Sequence, residues 1–277
     1  MAETKNKEVN SMGIEDLPKG CLEKILSLTT PRDVCRAAAV SSTFNTVSLS
    51  NLVWGSFIPN DSILVHIVEF LQCLVYGEPS TKDLFMDLSR RPIYMKNDGI
   101  VFNLSKSTGK VSYFIPSNKL SIAWGDDPNY WQRVQLFCSR FLSAAELLRV
   151  CWFDVRYTLD VSMLSPSTRY AVNLVFNLDF RSYGFQEHPV EAEVSINGGE
   201  ASKRKMYLCE RPSEEDESDG DAVYGKLRSD LWLEVKLGEI CYSGEGEGKV
   251  DIRVSETRSL HWKSRIVIEG IEITVEE

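Results

Sequence analysis

The chain has 277 residues, enough for one large domain or two modest ones, and 40 acidic against 31 basic side chains give it a net charge of −9. That balance argues against nucleic acid as a main partner, because phosphate binding needs a basic face. Seven scattered cysteines without a C-x-x-C pair, behind a start that lacks an apolar signal stretch, argue against a disulfide-built secreted scaffold. They fit a reducing compartment, the cytoplasm or nucleus.

Residues 1 to 12 are polar and of mixed charge and read as a disordered leader. Leu17-Pro18 then gives an extended apolar approach, since proline disfavours helix at the preceding residue. Leu22, Ile25 and Leu26 fall at i, i+3 and i+4, one face of a short helix. Thr29 or Thr30 before Pro31 predicts an N-cap with proline at the first helical position, and Asp33 suits that first turn. Val34, Ala37, Ala38 and Val40 continue as a second helix. Ser41 or Ser42 caps a third carrying Phe44 and Val47, and Leu52, Val53 and Trp54 close the run. Three helices this short bury little surface, so they need a neighbour.

The residue order of this run resembles the F-box. The matching blocks are Leu17-Pro18, Ile25-Leu26, Val34-Cys35-Arg36-Ala37, Val40-Ser41-Ser42-Thr43-Phe44 and Leu52-Val53-Trp54. The resemblance implies docking onto the Skp-type adaptor of a cullin–RING ubiquitin ligase. Leu17, Pro18, Ile25, Leu26 and Val34 match the family's adaptor-facing positions. An F-box is therefore expected over 13–57.

Ile58-Pro59-Asn60-Asp61 breaks the pattern. From Ile63 to Tyr76, Leu64, Ile67, Val68, Leu71 and Val75 share one helical face, and Gly77 and Pro79 end it. His66, Glu69 and Gln72 within it argue against a membrane span. Ser80 or Thr81 caps another short helix through Leu88. The pair is expected to form a helical bridge over 58–91.

From Pro92 the apolar period changes to two. Ile100, Phe102 and Leu104 alternate, then Val111, Tyr113 and Ile115, then a series of longer runs ending in RIVIEGIEITVEE. Turn residues separate them: Ser165-Pro166, Asn197-Gly198-Gly199 and the glycines from Gly244 to Gly248. Many alternating segments without intervening helices predict an antiparallel β-sandwich, jelly-roll-like, over 92–277. The whole chain is thus α+β. SAAELLRV, from Ser143, is expected to begin as a helical turn. Lys203-Arg204-Lys205 and the acidic run over 210–221 read as one solvated, mobile loop.

Ser121 to Gln132, SIAWGDDPNYWQ, is the loop best suited to recognition. Trp124, Tyr130 and Trp131 bracket a polar turn at Gly125, Asp126, Asp127 and Pro128. Flat rings stack on sugar C–H faces while carboxylates take the hydroxyls. The alternative is that the tryptophans plug one end of the sandwich. A mixed outcome is expected, with one ring structural and the other open to ligand. Trp152, Trp232 and Trp262 are expected in the core. Ser165 to Thr168 and Tyr183-Gly184-Phe185 read as structural turns.

From about Ser105 onward the chain also resembles the plant phloem-lectin (phloem protein 2, tobacco-agglutinin-like) domain. The blocks that carry it include Ser121–Trp131, Ser139-Arg140-Phe141, Val150-Cys151-Trp152-Phe153, Leu237-Gly238-Glu239, and His261-Trp262-Lys263 with Ile268-Glu269-Gly270-Ile271-Glu272-Ile273. The resemblance implies that Trp124 and Trp131 can line a site for N-acetylglucosamine-containing glycans; Asp126, Asp127 and Tyr130 of the same loop are the further candidates that its residues suggest.

His66, His188 and His261 are far apart in sequence, and none pairs with a cysteine at zinc-like spacing. No G-x-S-x-G elbow occurs. The glycine-rich 244–249 stretch is followed by a strand and by Val250, where a phosphate loop needs a hydroxyl. No catalytic residue, metal or cofactor is expected. Two functions remain open: a non-catalytic target receptor of a Skp–cullin–F-box ligase, or a carbohydrate-binding lectin or stress protein acting outside a ligase.

Overall fold

A computed structural model describes residues 13–67, 80–95, 99–211 and 223–276. They fall into two compact units. One gathers 13–58, 80–90 and 105–109; the other holds the rest.

The first unit is helical. Its helices are α1 (Lys19–Ser27), α2 (Pro31–Ala37), α3 (Ser42–Val47), α4 (Asn51–Gly55) and, from further along the chain, Thr81–Leu88. Caps fix the starts. The Thr30 hydroxyl accepts from Asp33 N at 3.2 Å, Ser41 from Phe44 N at 3.3 Å, and Ser80 from Asp83 N at 3.2 Å. Each cap satisfies a backbone N–H that the first helical turn leaves orphaned. Leu22, Leu26, Val34, Phe44, Val47, Val53 and Trp54 turn inward. The Trp54 indole N–H donates to Ser48 O at 2.6 Å, which lets a polar ring edge sit in the core. Phe57 and Phe85 close on that indole, with centroids at 5.9 and 5.3 Å. The neighbour that short helices need is therefore Thr81–Leu88, which contributes Phe85 and Leu88, both fully buried. Val40 and Leu52, expected within the helical packing, are exposed. α2 ends at Ala37, and Leu52 points away from the face that buries Val53 and Trp54.

In the second unit, Asn60 caps α5 (Asp61–Leu64), which tightens into a 3-10 turn over Val65–Ile67. The expected helix from Ile63 thus begins as a single α-turn, and its remainder lies outside the described residues. Thr81–Leu88 is α6 in chain order.

Fourteen strands follow among the described residues: β1 (Ile93–Tyr94), β2 (Val101–Leu104), β3 (Val111–Pro116), β4 (Ser121–Ile122), β5 (Trp131–Val134), β6 (Ala144–Leu147) and β7 (Phe153–Asp160), then β8 (Thr168–Tyr183), β9 (Val190–Ile196), β10 (Ser202–Glu210), β11 (Val223–Leu227), β12 (Leu233–Tyr242), β13 (Lys249–Glu256) and β14 (Ser264–Val275). They pair in the order β1-β2-β3-β14-β8-β12-β11-β10-β9-β13-β7-β4, with β6 beside β14 and β5 beside β6. The path curls over on itself into two facing layers. Leu174 and Phe176 of β8, Ile271 and Ile273 of β14, and Val235 and Leu237 of β12 fill one side of the core. Ala192 and Val194 of β9, with Val250, Ile252 and Val254 of β13, fill the other. At the curl, β12 passes so near β9 that a Cβ on Gly238 would lie 2.8 Å from Val194 Cγ2.

Three expectations are corrected. Ser143 onward forms no helical turn, because Ala144–Leu147 is β6, laid between β5 and β14. Strand pairing on both edges overrides the helix preference of Ala-Ala-Glu-Leu. Lys203-Arg204-Lys205 is not a mobile loop but part of β10, registered against Glu193, Ala192 and Glu191 of β9. Lys203 pairs with Glu193 at 2.9 Å, so charges of opposite sign alternate across the solvent face. And the sandwich is not wholly antiparallel, since β10 and β11 run parallel. The acidic run over 210–221 lies outside the described residues apart from Glu210 and Arg211.

Candidate functional site

The residues matched to adaptor contact separate into two sets. Leu26 and Val34 belong to the core of the helical unit. Pro18, at the N-terminus of α1, is exposed, Leu17 is half-buried, and Ile25 is 38% exposed. Leu22 and Leu26, one turn apart, take the buried face and leave Ile25 at its rim. The unit also exposes Ile14, Leu28, Val40, Leu49 and Leu52. Sequence reasoning missed these as a surface. Their signal is subtractive: once the core is filled, these apolar positions are left over.

In the β unit, Ser121 to Trp131 is a compact chain of turns. Ala123 N donates to Asp154 O at 2.9 Å, Asp127 N to Trp124 O at 3.0 Å, and Tyr130 N to Asp127 O at 3.0 Å. Asp127 Oδ1 accepts both the backbone N–H and the side-chain amide of Asn129, at 2.9 and 2.8 Å. Asp127 is therefore a turn-former with its carboxylate partly engaged, whereas Asp126 is exposed.

The two tryptophans part company. Trp131 starts β5 and is 4% exposed; its indole N–H donates to Ala123 O at 3.1 Å and its ring lies 6.4 Å from that of Phe153. It plugs the end of the sandwich. Trp124 is 49% exposed and tilts against Tyr130, with ring centroids 5.7 Å apart. Its φ is +54°, in the left-handed region that a bulky side chain rarely adopts. Such strain persists only where the surroundings fix it, and it clusters at ligand sites. In burial the loop divides as expected, with Trp131 structural and Trp124 exposed beside Tyr130.

Two other tryptophan assignments are corrected. Trp232 is fully buried, donating to Cys138 O at 3.0 Å, but Trp152 and Trp262 are exposed. The bridge that joins Val150 to Lys263 turns those two residues inward and leaves Trp262 outside, under the Arg149 guanidinium at 5.0 Å from the ring centre. His188 and His261, distant in sequence, are stacked with centroids 3.5 Å apart. Lys263 and Glu256 are both buried and paired. Glu256 also accepts from Arg258 N and Ser259 N, and these bonds hold its carboxyl below the usual range against the burial that would raise it. Among the described residues no group of three or more His, Cys, Asp or Glu side chains is placed to hold a metal ion, and no helix is long and apolar enough to cross a membrane.

Comparison with known proteins agrees with this division of the chain. Residues 14–60 match the F-box-like family and residues 110–275 the Phloem protein 2 family. F-box protein PP2-B10 of Arabidopsis thaliana is 34% identical over 277 residues, covering 99% of this chain and 98% of the relative. F-box protein PP2-B1 of the same plant is 33% identical, covering 94% and 89%. A carbohydrate-binding module solved with β-1,4-galactotriose aligns at a TM-score of 0.30 and 14% identity over 57% of this chain and 87% of the module, a likeness too loose to carry an assignment. The relatives span both units, and on that extent of similarity the chain belongs to the family of F-box proteins that carry a phloem protein 2 domain.

Proposed function

We propose that this chain is the target-selecting subunit of a Skp–cullin–F-box ubiquitin ligase in the cytoplasm or nucleus. Its helical unit docks on the Skp-type adaptor, and its β unit binds a target protein. Ubiquitin transfer takes place on other subunits, and this chain contributes proximity by tethering the target. The observation that carries the reading is the number of apolar side chains that the small helical unit leaves exposed. Ile14, Ile25, Leu28, Val40, Leu49 and Leu52 lie in water on a unit whose core is already filled. Exposed apolar patches on small units mark protein contact sites. Target choice falls to the surface at Trp124, Asp126 and Tyr130, where a half-open indole, a second ring and a carboxylate suit an N-acetylglucosamine-containing glycan.

Co-purification with a Skp-type adaptor tests the first half. Changing Leu17 and Pro18 together to Ala removes an apolar anchor at the start of α1. Interface anchors are typically worth about 2 kcal/mol or more, roughly a thirtyfold loss of affinity. Undiminished adaptor binding by that variant, with the β unit still folded, would remove Leu17 and Pro18 from the adaptor contact, whereas no co-purification by the natural chain would return the protein to the class of lectins acting outside a ligase.

A further inference from the structure

The two ends of the sandwich are unlike. At one end the loops over 161–167, 197–201 and 243–248 contain no aromatic residue. At the other, the loops and the end of β8 carry Trp124, Tyr130, Trp152, Tyr183, His188, His261 and Trp262. One short segment ties these together. Leu148 N donates to Tyr130 O at 2.8 Å, Val150 and Lys263 exchange backbone bonds at 3.0 and 2.7 Å, and Asp154 O accepts from Ala123 N. Trp152, Tyr183, Leu260 and Trp262, at this same end of the sandwich, are each between 41% and 51% exposed.

This second patch is built rather than left over. The 257–262 loop hangs on the buried Lys263–Glu256 pair, whose ammonium also donates to His261 O at 2.7 Å. Leu260 is held at φ +53°, an unfavourable conformation for leucine, and its side chain is still in water. Gly184 fits beneath at φ +84°, where any Cβ would come within 2.3 Å of the Trp262 carbonyl oxygen. A fixed loop loses little entropy on binding.

The chemistry of the patch differs from that of the Trp124 loop. Tryptophan, tyrosine and arginine dominate protein–protein hot spots. The Arg149 guanidinium already lies over one face of Trp262, a poor arrangement for stacking sugar there. Arg149 is exposed and has no carboxylate partner among the described residues, in a chain of net charge −9. An uncompensated cation over a displayed indole is complementary to a carboxylate next to an apolar side chain.

We infer that Arg149, Trp152, Leu260 and Trp262 form a polypeptide-docking surface, which takes a segment of the target protein carrying an apolar anchor flanked by acidic residues. The inference rests on the reading of the β unit as a target receptor, and it adds a protein contact beside the glycan surface.

The test uses the full chain as bait for a displayed library of random linear peptides. Enriched peptides should share an apolar residue flanked by Asp or Glu. Trp262→Ala should weaken the best of them about tenfold. Arg149→Met, which keeps an aliphatic stem over the ring, should weaken it too and flatten its salt dependence. Trp124→Ala should leave peptide binding unchanged. Unaltered thermal unfolding shows that each variant is folded, and Trp262→Phe, with partial binding, serves if Trp262→Ala is not. No shared acidic pattern, or peptides that bind both variants equally, overturns the surface. Self-association in sedimentation that Trp262→Ala abolishes would assign it to a second copy and overturn it as well. Adaptor co-purification separates the failures: intact, it leaves the receptor reading standing without this surface; absent, both fall.

Discussion

Trp124 and Trp131 are separated by six residues and are of one type, yet their removal should have opposite consequences. Trp131 is 4% exposed, and Trp→Ala at a core site costs about 3–5 kcal/mol, the lost indole hydrogen bond included. For a unit of this size each kcal/mol moves the midpoint by about 2–4 °C, so Trp131→Ala should lower the β-unit transition by about 6–20 °C. Trp124 is best changed to glycine. Half-burial of an indole covers roughly 100 Å², about 2.5 kcal/mol at 25 cal/mol per Å². Against that, glycine releases the strain of the left-handed φ, about 1–2 kcal/mol. The two terms nearly offset, and the transition should move by less than about 5 °C. Glycan binding, however, should vanish. Differential scanning calorimetry of the full chain, with a glycan array on each variant, reads both quantities. A Trp124→Gly variant as destabilised as Trp131→Ala would refute the division of labour, and so would a Trp131→Ala variant with an unmoved transition.

Further outcomes follow from buried groups and close backbone approaches. A Cβ on Gly270 would sit 2.0 Å from the carbonyl oxygen of Ile115, so Gly270→Ala must push β3 from β14 and should cost at least about 2–3 kcal/mol by urea unfolding; an unchanged midpoint would show that the strands yield freely. Lys263→Met strands a buried carboxylate and should cost about 3–5 kcal/mol, of which added Glu256→Gln should restore a large part; a double variant no better than the single shows that the pair matters through shape and not charge. Glu269 is buried, with Oε1 accepting from Arg140 N and Oε2 without a hydrogen-bond partner among the described residues, and burial raises its carboxyl above the usual value. A folded value above the unfolded one means a contribution present in acid and lost as pH rises through the folded value. Glu269→Gln keeps the acceptor, so its stability relative to the natural chain should increase from acid to neutral pH; a relative decrease would mean that the buried carboxylate is stabilised by its charge.

Much of the architecture was legible because a few local rules suffice for it. The caps narrow to Thr29 or Thr30 and to Ser80 or Thr81 from sequence, and β9, β12 and β13 contain alternating apolar and polar runs. Readings failed where a residue's type and its surroundings point in different directions. β10 carries three basic residues directly after Ser202, and only the sheet reveals that Lys203 and Lys205 alternate with positions facing inward and that Met206 and Leu208 are buried. Trp152 and Trp262 were expected inside because they sit in strand-like surroundings, but both lie just before a strand begins and are exposed. Leu26 and Val34 sit where the family pattern places adaptor contacts, and periodicity alone could not say which face the core would claim. The stacking of His188 on His261 is a tertiary meeting of two loops, invisible to spacing.

The family match for the F-box stops at residue 60, but the core it needs does not. Phe85 lies 5.3 Å from Trp54 and 6.2 Å from Phe57, and with Leu88 it is fully buried in the helical unit. The stretch recognisable by ancestry is therefore shorter than the stretch that packs into one core. A lineage that exchanged the lectin-like half at that boundary would inherit an F-box with an open aromatic wound, prone to aggregation before it met its adaptor. Successful recombination has to carry Thr81–Leu88 with the F-box, which makes this helix, and not the last residue of the motif, the physical edge of the transferable module.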